Sequence, residues 1–234
     1  MDCTLNLHIT RPYRCYIFDL DGTLLNTIAD LGAACNHALA ACGHPQHPVE
    51  VVEKMVGNGI NALLLRAMPE KYKTAVQDFN NLPQETETEL LRLRKAFIPY
   101  YDQHCFDRTA PYPGIVDLLQ RLKAEGAFLA VASNKYQSAT EAIVSHCFPD
   151  MFDVVLGERE GIPRKPDPQI VYDILNRVGV SKSDTLYIGD SLVDISTARN
   201  AGLDVRACPW GFTPEPTLLQ TGVTLIDRQL DAQK

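Results

Sequence analysis

An α/β fold, a parallel-sheet core carrying an all-helical insertion, is predicted by three observations. Short apolar runs at about Arg14–Phe18, Ala127–Ala132 and Thr185–Ile188 each end in polar or glycine-containing segments, as buried strands do. From Pro111 onward such runs alternate with stretches of helical periodicity, the pattern of βα units that build a parallel sheet covered on both faces. Between the first run and that alternation, from Thr27 to about Phe106, almost no strand signal occurs.

Met1–Arg14 lacks the apolar stretch of a signal peptide and reads as an extension into the first strand. In the insertion, Ile28, Leu31, Ala34, Cys35, Ala38 and Leu39 recur at helical spacing, and Gly43-His44-Pro45 stops that helix. Further helices are expected over Val49–Val56, Ile60–Met68, roughly Glu70–Asn80, and Glu85–Tyr101. Beyond Pro111 the expected order is helix Gly114–Glu125, strand Ala127–Ala132, helix Ser138–Cys147 and strand Val154–Leu156. Helix Pro168–Val178 follows, with Asp167 as N-cap and Pro168 at the first helical position. Strand Thr185–Ile188, helix Ile195–Ala201, strand Val205–Cys208 and an edge strand at Val223–Ile226 complete the series. The predicted organisation is a Rossmann-like core of residues 1–26 and 108–234, with a helical domain of residues 27–107.

The chain has 234 residues and a net charge of −7, with no long basic run. That argues against nucleic-acid binding, which wants a basic stripe. No apolar run approaches the ~20 residues of a membrane span, so a cytoplasmic protein without membrane contact is expected. The seven cysteines are scattered and never spaced C-x-x-C, which disfavours a zinc site or a disulfide framework. The six histidines show no helical metal-pair spacing, and His44 and His47 flank a loop that joins two helices.

Asp19 and Asp21 leave the first strand two residues apart, and Gly22 lets the chain break away behind them. On a strand that spacing puts both on one face. Two bare carboxylates so close repel each other and resist burial unless a cation lies between them. The pair is therefore either a Mg2+ site in which one carboxylate is also a nucleophile, or a polar turn, since Asp-Gly is a common turn dipeptide. Three later segments bear on the choice: Phe128–Asn134, a strand ending in Ser133-Asn134; Gly161–Pro168, with Lys165 between prolines; and Thr185–Asp194, a strand ending in Gly189-Asp190 with Asp194 beyond. In an open parallel sheet, ligands bind beyond the carboxyl ends of the strands, where all of these residues can converge.

Taken in order, the four segments resemble the four motifs of the haloacid dehalogenase superfamily of phosphohydrolases, along nearly the whole chain. Asp-Gly-Thr-Leu-Leu, Ser-Asn-Lys and Lys-Pro-Asp-Pro look most like its phosphoglycolate-phosphatase-like branch. The resemblance implies that the helical insertion is a small cap over the active site. It implies that Asp19 attacks phosphorus to form an aspartyl phosphate, and that Asp21 protonates the leaving alkoxide and then activates water. Mg2+ would be held by the Asp19 and Asp190 side chains and the Asp21 carbonyl, with Asp194 as acceptor for a metal-bound water. Lys165 would supply fixed positive charge to the phosphoryl group; Arg164, its neighbour, reads as surface charge.

Ser133 and Asn134 would bind phosphoryl oxygens, though they could also cap the next helix. Gly22 and Thr23 would belong to the substrate-binding loop, which the Thr23 hydroxyl would support by a hydrogen bond. Gly57-Asn58-Gly59 resembles the family's cap loop over the substrate, although glycines there could simply end a helix. Gly59 and Arg66 are the candidate cap contacts, Arg66 for a carboxylate on the substrate or else a solvated helix residue. Trp210-Gly211-Phe212 resembles a loop near the site, or is an apolar plug.

The expected activity is Mg2+-dependent hydrolysis of a small organic phosphate ester, 2-phosphoglycolate foremost, by a monomer or homodimer. A phosphosugar mutase on the same fold is disfavoured by Thr23, where such mutases usually carry Val or Ile. A phosphonate-cleaving enzyme would need a desolvated cap lysine, which Lys54, Lys71, Lys73 and Lys95 do not obviously supply. A receiver domain would place its phosphoacceptor on a later strand. A non-catalytic phosphate-binding or regulatory protein would have no need of Asp19, Asp21, Lys165 and Asp190 together.

Overall fold

The structure, a computed structural model, describes residues 3–74, 76 and 81–230. The chain divides at Asn26/Thr27 and Thr109/Ala110 into two compact units.

The first unit is built on a six-stranded sheet in the order β6-β5-β2-β7-β8-β9. These strands are β2 (Cys15–Phe18), β5 (Phe128–Tyr136), β6 (Val154–Glu158), β7 (Thr185–Gly189), β8 (Asp204–Ala207) and β9 (Thr224–Leu225). Every neighbouring pair is parallel. All four residues of β2 are buried, which explains its unbroken apolar run: a central parallel strand has no solvent face. Phe18 lies opposite both Val131 and Ile188. The residues that follow these three strands therefore emerge side by side.

Around the sheet lie α5 (Ile115–Ala124), α6 (Gln137–Cys147), α7 (Gln169–Val178), α8 (Leu192–Ala201) and α9 (Glu215–Leu219). Helix α7 buries Ile170, Val171, Ile174 and Leu175, the one-sided spacing of an amphipathic helix. These side chains pack with Ile17, Ala130, Tyr187 and Ala198 in one core cluster. Leu192 starts α8 three residues before the periodicity suggested, because Ser191 and Asp194 form a capping box there. Pro168, not Asp167, is the N-cap of α7; the Asp167 carboxylate instead accepts from the Gln169 amide at 2.9 Å.

The N-terminal segment is more than a lead-in. Strand β1 (Cys3–Asn6) pairs antiparallel with β10 (Asp227–Leu230), and Leu5 and Leu7 are buried. A second small ladder joins β3 (Leu25–Asn26) to β4 (Ala110–Pro111), holding the outgoing and returning chain together.

The second unit contains α1 (Ile28–Ala41), α2 (Val49–Glu53), α3 (Gly59–Ala67) and α4 (Gln84–His104). Helix α1 buries Leu31, Ala34, Cys35, Ala38 and Leu39; α4 buries Leu90, Leu93, Phe97 and Tyr101. Asp30 closes the unit. Its Oδ2 accepts from the amides of Arg108 and Thr109 at 2.9 and 2.8 Å and from Thr109 Oγ1 at 2.9 Å. His44 is paired with buried Glu89 at 2.7 Å, and His47 contacts the Ala67 carbonyl. The helix expected over Glu70–Asn80 is a correction: the helical segment there is a 3-10 turn, Glu70–Tyr72. The Tyr72 carbonyl accepts from Thr86 Oγ1, and the Val76 amide bonds to Lys73, so the α-ladder is not continued. Residues 75 and 77–80 of that expected helix lie outside the described residues. No helix among the described residues is long and apolar enough to cross a membrane, and six free cysteines are found among them.

Candidate active site

At the carboxyl end of the core sheet, Asp19 follows β2, Asp190 follows β7, and Asp194 lies in the first turn of α8. Lys165 arrives from the loop between β6 and α7 and is buried. Its ammonium lies 2.8 Å from Asp19 Oδ1, 2.8 Å from Asp194 Oδ1, 2.8 Å from the Ala132 carbonyl and 3.2 Å from the Tyr187 hydroxyl. The loop is pinned by Asn134. That side chain accepts from the Lys165 amide at 3.0 Å and donates to the Lys165 carbonyl at 3.1 Å. The Asn134 amide group thus holds the lysine in place. Ser133 and Asn134 do not cap the next helix, because β5 runs on through them to Tyr136, the N-cap of α6. The Ser133 hydroxyl oxygen accepts the Lys135 amide at 3.1 Å.

Asp190 is held by neutral donors, Thr23 Oγ1 at 3.0 Å and the Phe212 amide at 2.8 Å. Two glycines let the backbone close around it. A Cβ on Gly211 would lie 2.1 Å from Asp190 Cβ, and one on Gly22, at φ +85°, would lie 2.4 Å from Asp190 Oδ2. Trp210 Nε1 donates to the Thr23 carbonyl at 3.1 Å. The Trp210–Phe212 loop is therefore a brace for Asp190 and for the loop after Asp19, whereas the Thr23 hydroxyl, expected to support its own loop, donates to Asp190.

One oxygen each from Asp19, Asp190 and Asp194 lie within 4.8 Å of one another. Burial, then the Asp194 charge, pushes the Asp19 carboxyl up to about 7 against the pull of Lys165. Burial, then the charges of Asp194 and Asp19, holds Asp190 well above the usual carboxylate range. Burial alone would lower Lys165, but Asp19 and Asp194 outweigh it and raise the ammonium well above its ordinary value. Three buried carboxylates thus lie together, and the one buried ammonium beside them pairs with only two, Asp19 and Asp194. The surplus negative charge and the oxygen-only donor set suit a hard divalent cation. Asp19 and Asp190 are its natural side-chain ligands, because both Asp194 oxygens are already engaged by Lys165, Tyr187 and Ser191.

Asp21 stands at the edge of this cluster, and its Oδ1 is ion-paired with Lys135 Nζ at 3.1 Å without hydrogen-bond geometry. In the sequence Lys135 stands out only as the last residue of Ser-Asn-Lys, with no role attached, and Tyr187 does not stand out at all. Lys135 follows Ser133-Asn134 in a segment that looked like the loop after a strand, and Tyr187 is hidden inside an apolar run. Arg164 is paired with Glu158 at 3.1 Å, away from the carboxylates. Gly59 and Arg66 belong to the helical unit: Gly59 opens α3, and Arg66 Nη1 donates to the carbonyls of Met55 and Gly57 at 2.7 and 2.9 Å. Arg66 therefore staples the Gly57–Gly59 loop. Asn58 within it adopts a left-handed conformation at φ +63°.

The profile of haloacid dehalogenase-like hydrolases matches residues 16–208. The phosphoglycolate phosphatase of Caulobacter vibrioides is 34% identical over 218 residues, covering 93% of this chain and 88% of that protein. Phosphoglycolate phosphatase 1 of Pseudomonas aeruginosa is 32% identical over 222 residues, covering 93% and 77%. Among solved structures, a protein from Lactobacillus delbrueckii subsp. bulgaricus assigned as a phosphoglycolate phosphatase superposes with a TM-score of 0.83 at 37% identity, covering 93% of this chain and 95% of that one.

Proposed function

Since the chain belongs to the haloacid dehalogenase-like hydrolase family and is a phosphatase, we propose that it hydrolyses 2-phosphoglycolate through phosphoryl transfer to Asp19, with Mg2+ as cofactor. The observation that carries this reading is Asp19 itself, a buried carboxylate with one oxygen fixed by Lys165 and two further carboxylates beside it. The similarity to phosphoglycolate phosphatases supports the choice of substrate.

Lys165 engages Asp19 Oδ1, which leaves Oδ2 as the attacking oxygen. Its fixed charge also offsets negative charge on the phosphoryl group during transfer. Asp19, Asp190 and the Asp21 carbonyl would hold Mg2+, which supplies charge neutralisation for the phosphoryl oxygens. Ser133 Oγ accepts from the Lys135 amide, so its own hydrogen is available to a phosphoryl oxygen. Asp21 gives a proton to the leaving oxygen and then takes one from the water that hydrolyses the aspartyl phosphate. Thr23 and Asn134 act through the residues they hold, Asp190 and Lys165. The helical unit is proposed to select the leaving group, with Gly59 and the Arg66-held loop in that role. The Thr23–Asp190 hydrogen bond weighs against the mutase reading, since Val or Ile at that position offers no hydroxyl.

The test is single-turnover hydrolysis of 2-phosphoglycolate with Mg2+ in 18O-water, followed by mass analysis of glycolate, phosphate and the Asp19 peptide. Label in phosphate and none in the Asp19 carboxyl is the expected result, because water attacks the phosphorus of the aspartyl phosphate and the bond that breaks is the one between phosphorus and the Asp19 oxygen. Phosphate labelled at full rate by an Asp19→Asn protein would refute covalent transfer.

A further inference from the structure

The Lys165 ammonium has three N–H groups to give, and four oxygens surround it. Asp19 Oδ1, Asp194 Oδ1 and the Ala132 carbonyl each lie at 2.8 Å, and the Tyr187 hydroxyl lies at 3.2 Å. The three short contacts match the three donors, so Lys165 reaches a phosphoryl oxygen only by giving up a present partner. Asp19 is the one it must keep, because that contact fixes the attacking carboxylate. Asp194 is fully buried, and a buried carboxylate deprived of its cation is costly. The Tyr187 side chain is equally buried, and its hydroxyl donates to Asp194 Oδ1 at 3.1 Å. The Ala132 carbonyl is farther from it, at 3.5 Å. Alone among the four oxygens, that of Tyr187 both accepts from Lys165 and belongs to a group that donates to another of the four. Burial pushes the phenol well above its ordinary value, so it remains a donor.

We infer that Tyr187 is a positioning residue: its hydroxyl holds the Asp194 carboxylate while Lys165 turns one N–H from Asp194 to the phosphoryl group in transfer. The inference rests on the phosphatase reading above and deepens it by naming what frees the lysine. Asp194 Oδ2 stays bound to the Ser191 amide and hydroxyl at 3.1 and 2.5 Å. With Tyr187 on Oδ1, the carboxylate therefore keeps a donor on each oxygen when the lysine turns away. Hydrogen bonds to a charged group are the strong ones. A phenylalanine ring would fill the same apolar surroundings but leave Asp194 Oδ1 bare at that moment. An interaction needed in the transition state and not in the resting site raises kcat rather than lowering KM.

The experiment measures kcat and KM with Mg2+ for 2-phosphoglycolate and for p-nitrophenyl phosphate in the wild type, Tyr187→Phe, Asp194→Asn and the double variant. Beside them it measures dissociation constants for inorganic phosphate and for orthovanadate, which adopts the five-coordinate geometry of the transferring phosphorus. Tyr187→Phe is expected to lower kcat about tenfold or more on both esters, since they share the phosphoryl group, with KM within about twofold. Orthovanadate should bind more weakly by a similar factor, while phosphate binding stays nearly unchanged. In the Asp194→Asn background the same substitution should cost less than about twofold, because no carboxylate charge is left to hold. That comparison serves if the single Tyr187→Phe variant does not fold. An unchanged kcat, equal weakening of phosphate and orthovanadate, or a tyrosine effect that persists in full beside Asp194→Asn would each overturn the inference and leave the phosphatase reading intact. A wild type that hydrolyses neither ester would overturn both.

Discussion

Stripping divalent metal from the protein should make its stability fall as pH rises from about 4 to 7. The cause is the Asp19 carboxyl, whose value is raised from 3.8 to about 7 by burial and by Asp194. Between those two values the folded chain holds a proton that the unfolded chain has already released. Folding therefore binds protons across that window, and stability declines with pH until Asp19 is ionised in both states. A displacement of about three pH units corresponds to roughly 4 kcal/mol at 1.36 kcal/mol per unit. For a chain of this size that is on the order of 10 °C in melting temperature. Other carboxylates titrate over the same range, so the quantity to measure is a difference. Thermal melts of EDTA-treated wild type and Asp19→Asn should be recorded at pH 4.5, 6 and 8. The variant's advantage should grow with pH and level off above about 7, and Mg2+ at pH 8 should recover most of the deficit in the wild type. A wild-type-to-variant difference that stays constant across this range would refute the assignment of Asp19 as an electrostatically strained carboxylate.

Asp190→Ala should weaken Mg2+ binding far more than it weakens folding, as read by titration of the metal-free protein. Asp194→Ala should do the reverse, because it removes both the capping box of α8 and a partner of Lys165; comparable losses of Mg2+ affinity would make Asp194 a direct ligand. Asn134→Ala should lower kcat by about tenfold or more with little change in Mg2+ affinity, since it frees the Lys165 backbone without touching the carboxylates. An unchanged kcat would show that the proline-flanked loop holds the lysine unaided.

The sheet was legible in the sequence because buried parallel strands leave an unbroken apolar run, as at Cys15–Phe18 and Thr185–Gly189. The β1–β10 ribbon was not, because each strand is short and takes its partner from the far end of the chain. The segment after Met68 carried helix-forming residues, but tertiary bonding of the Tyr72 carbonyl to Thr86 reduced it to one 3-10 turn. In the site, Asp19, Asp190 and Lys165 could be found because carboxylates and a lysine at strand ends stand out against apolar surroundings. What Asn134 does could not be read the same way: an amide suits a phosphate oxygen and a backbone clasp equally, and only the fold brings the Lys165 peptide to it. Lys135 was hidden by the expectation that the strand ends at Ala132, whereas β5 carries the chain on to Tyr136.

The position of β2 has a consequence for biosynthesis. It is the first strand of the large sheet to leave the ribosome, yet it occupies the middle, with Cys15 opposite Phe128 on one side and Thr185 on the other. Until those partners are made, the nascent chain carries an apolar strand with two open edges, the geometry most prone to pairing with another chain. The helical unit, whose helices pack on one another within residues 27–109, can fold during that wait. Its early folding draws Asn26 and Ala110 together through the Asp30 bonds to Arg108 and Thr109. The insertion thereby shortens the effective path from β2 to β5, so the polypeptide between them costs less closure entropy than its length suggests.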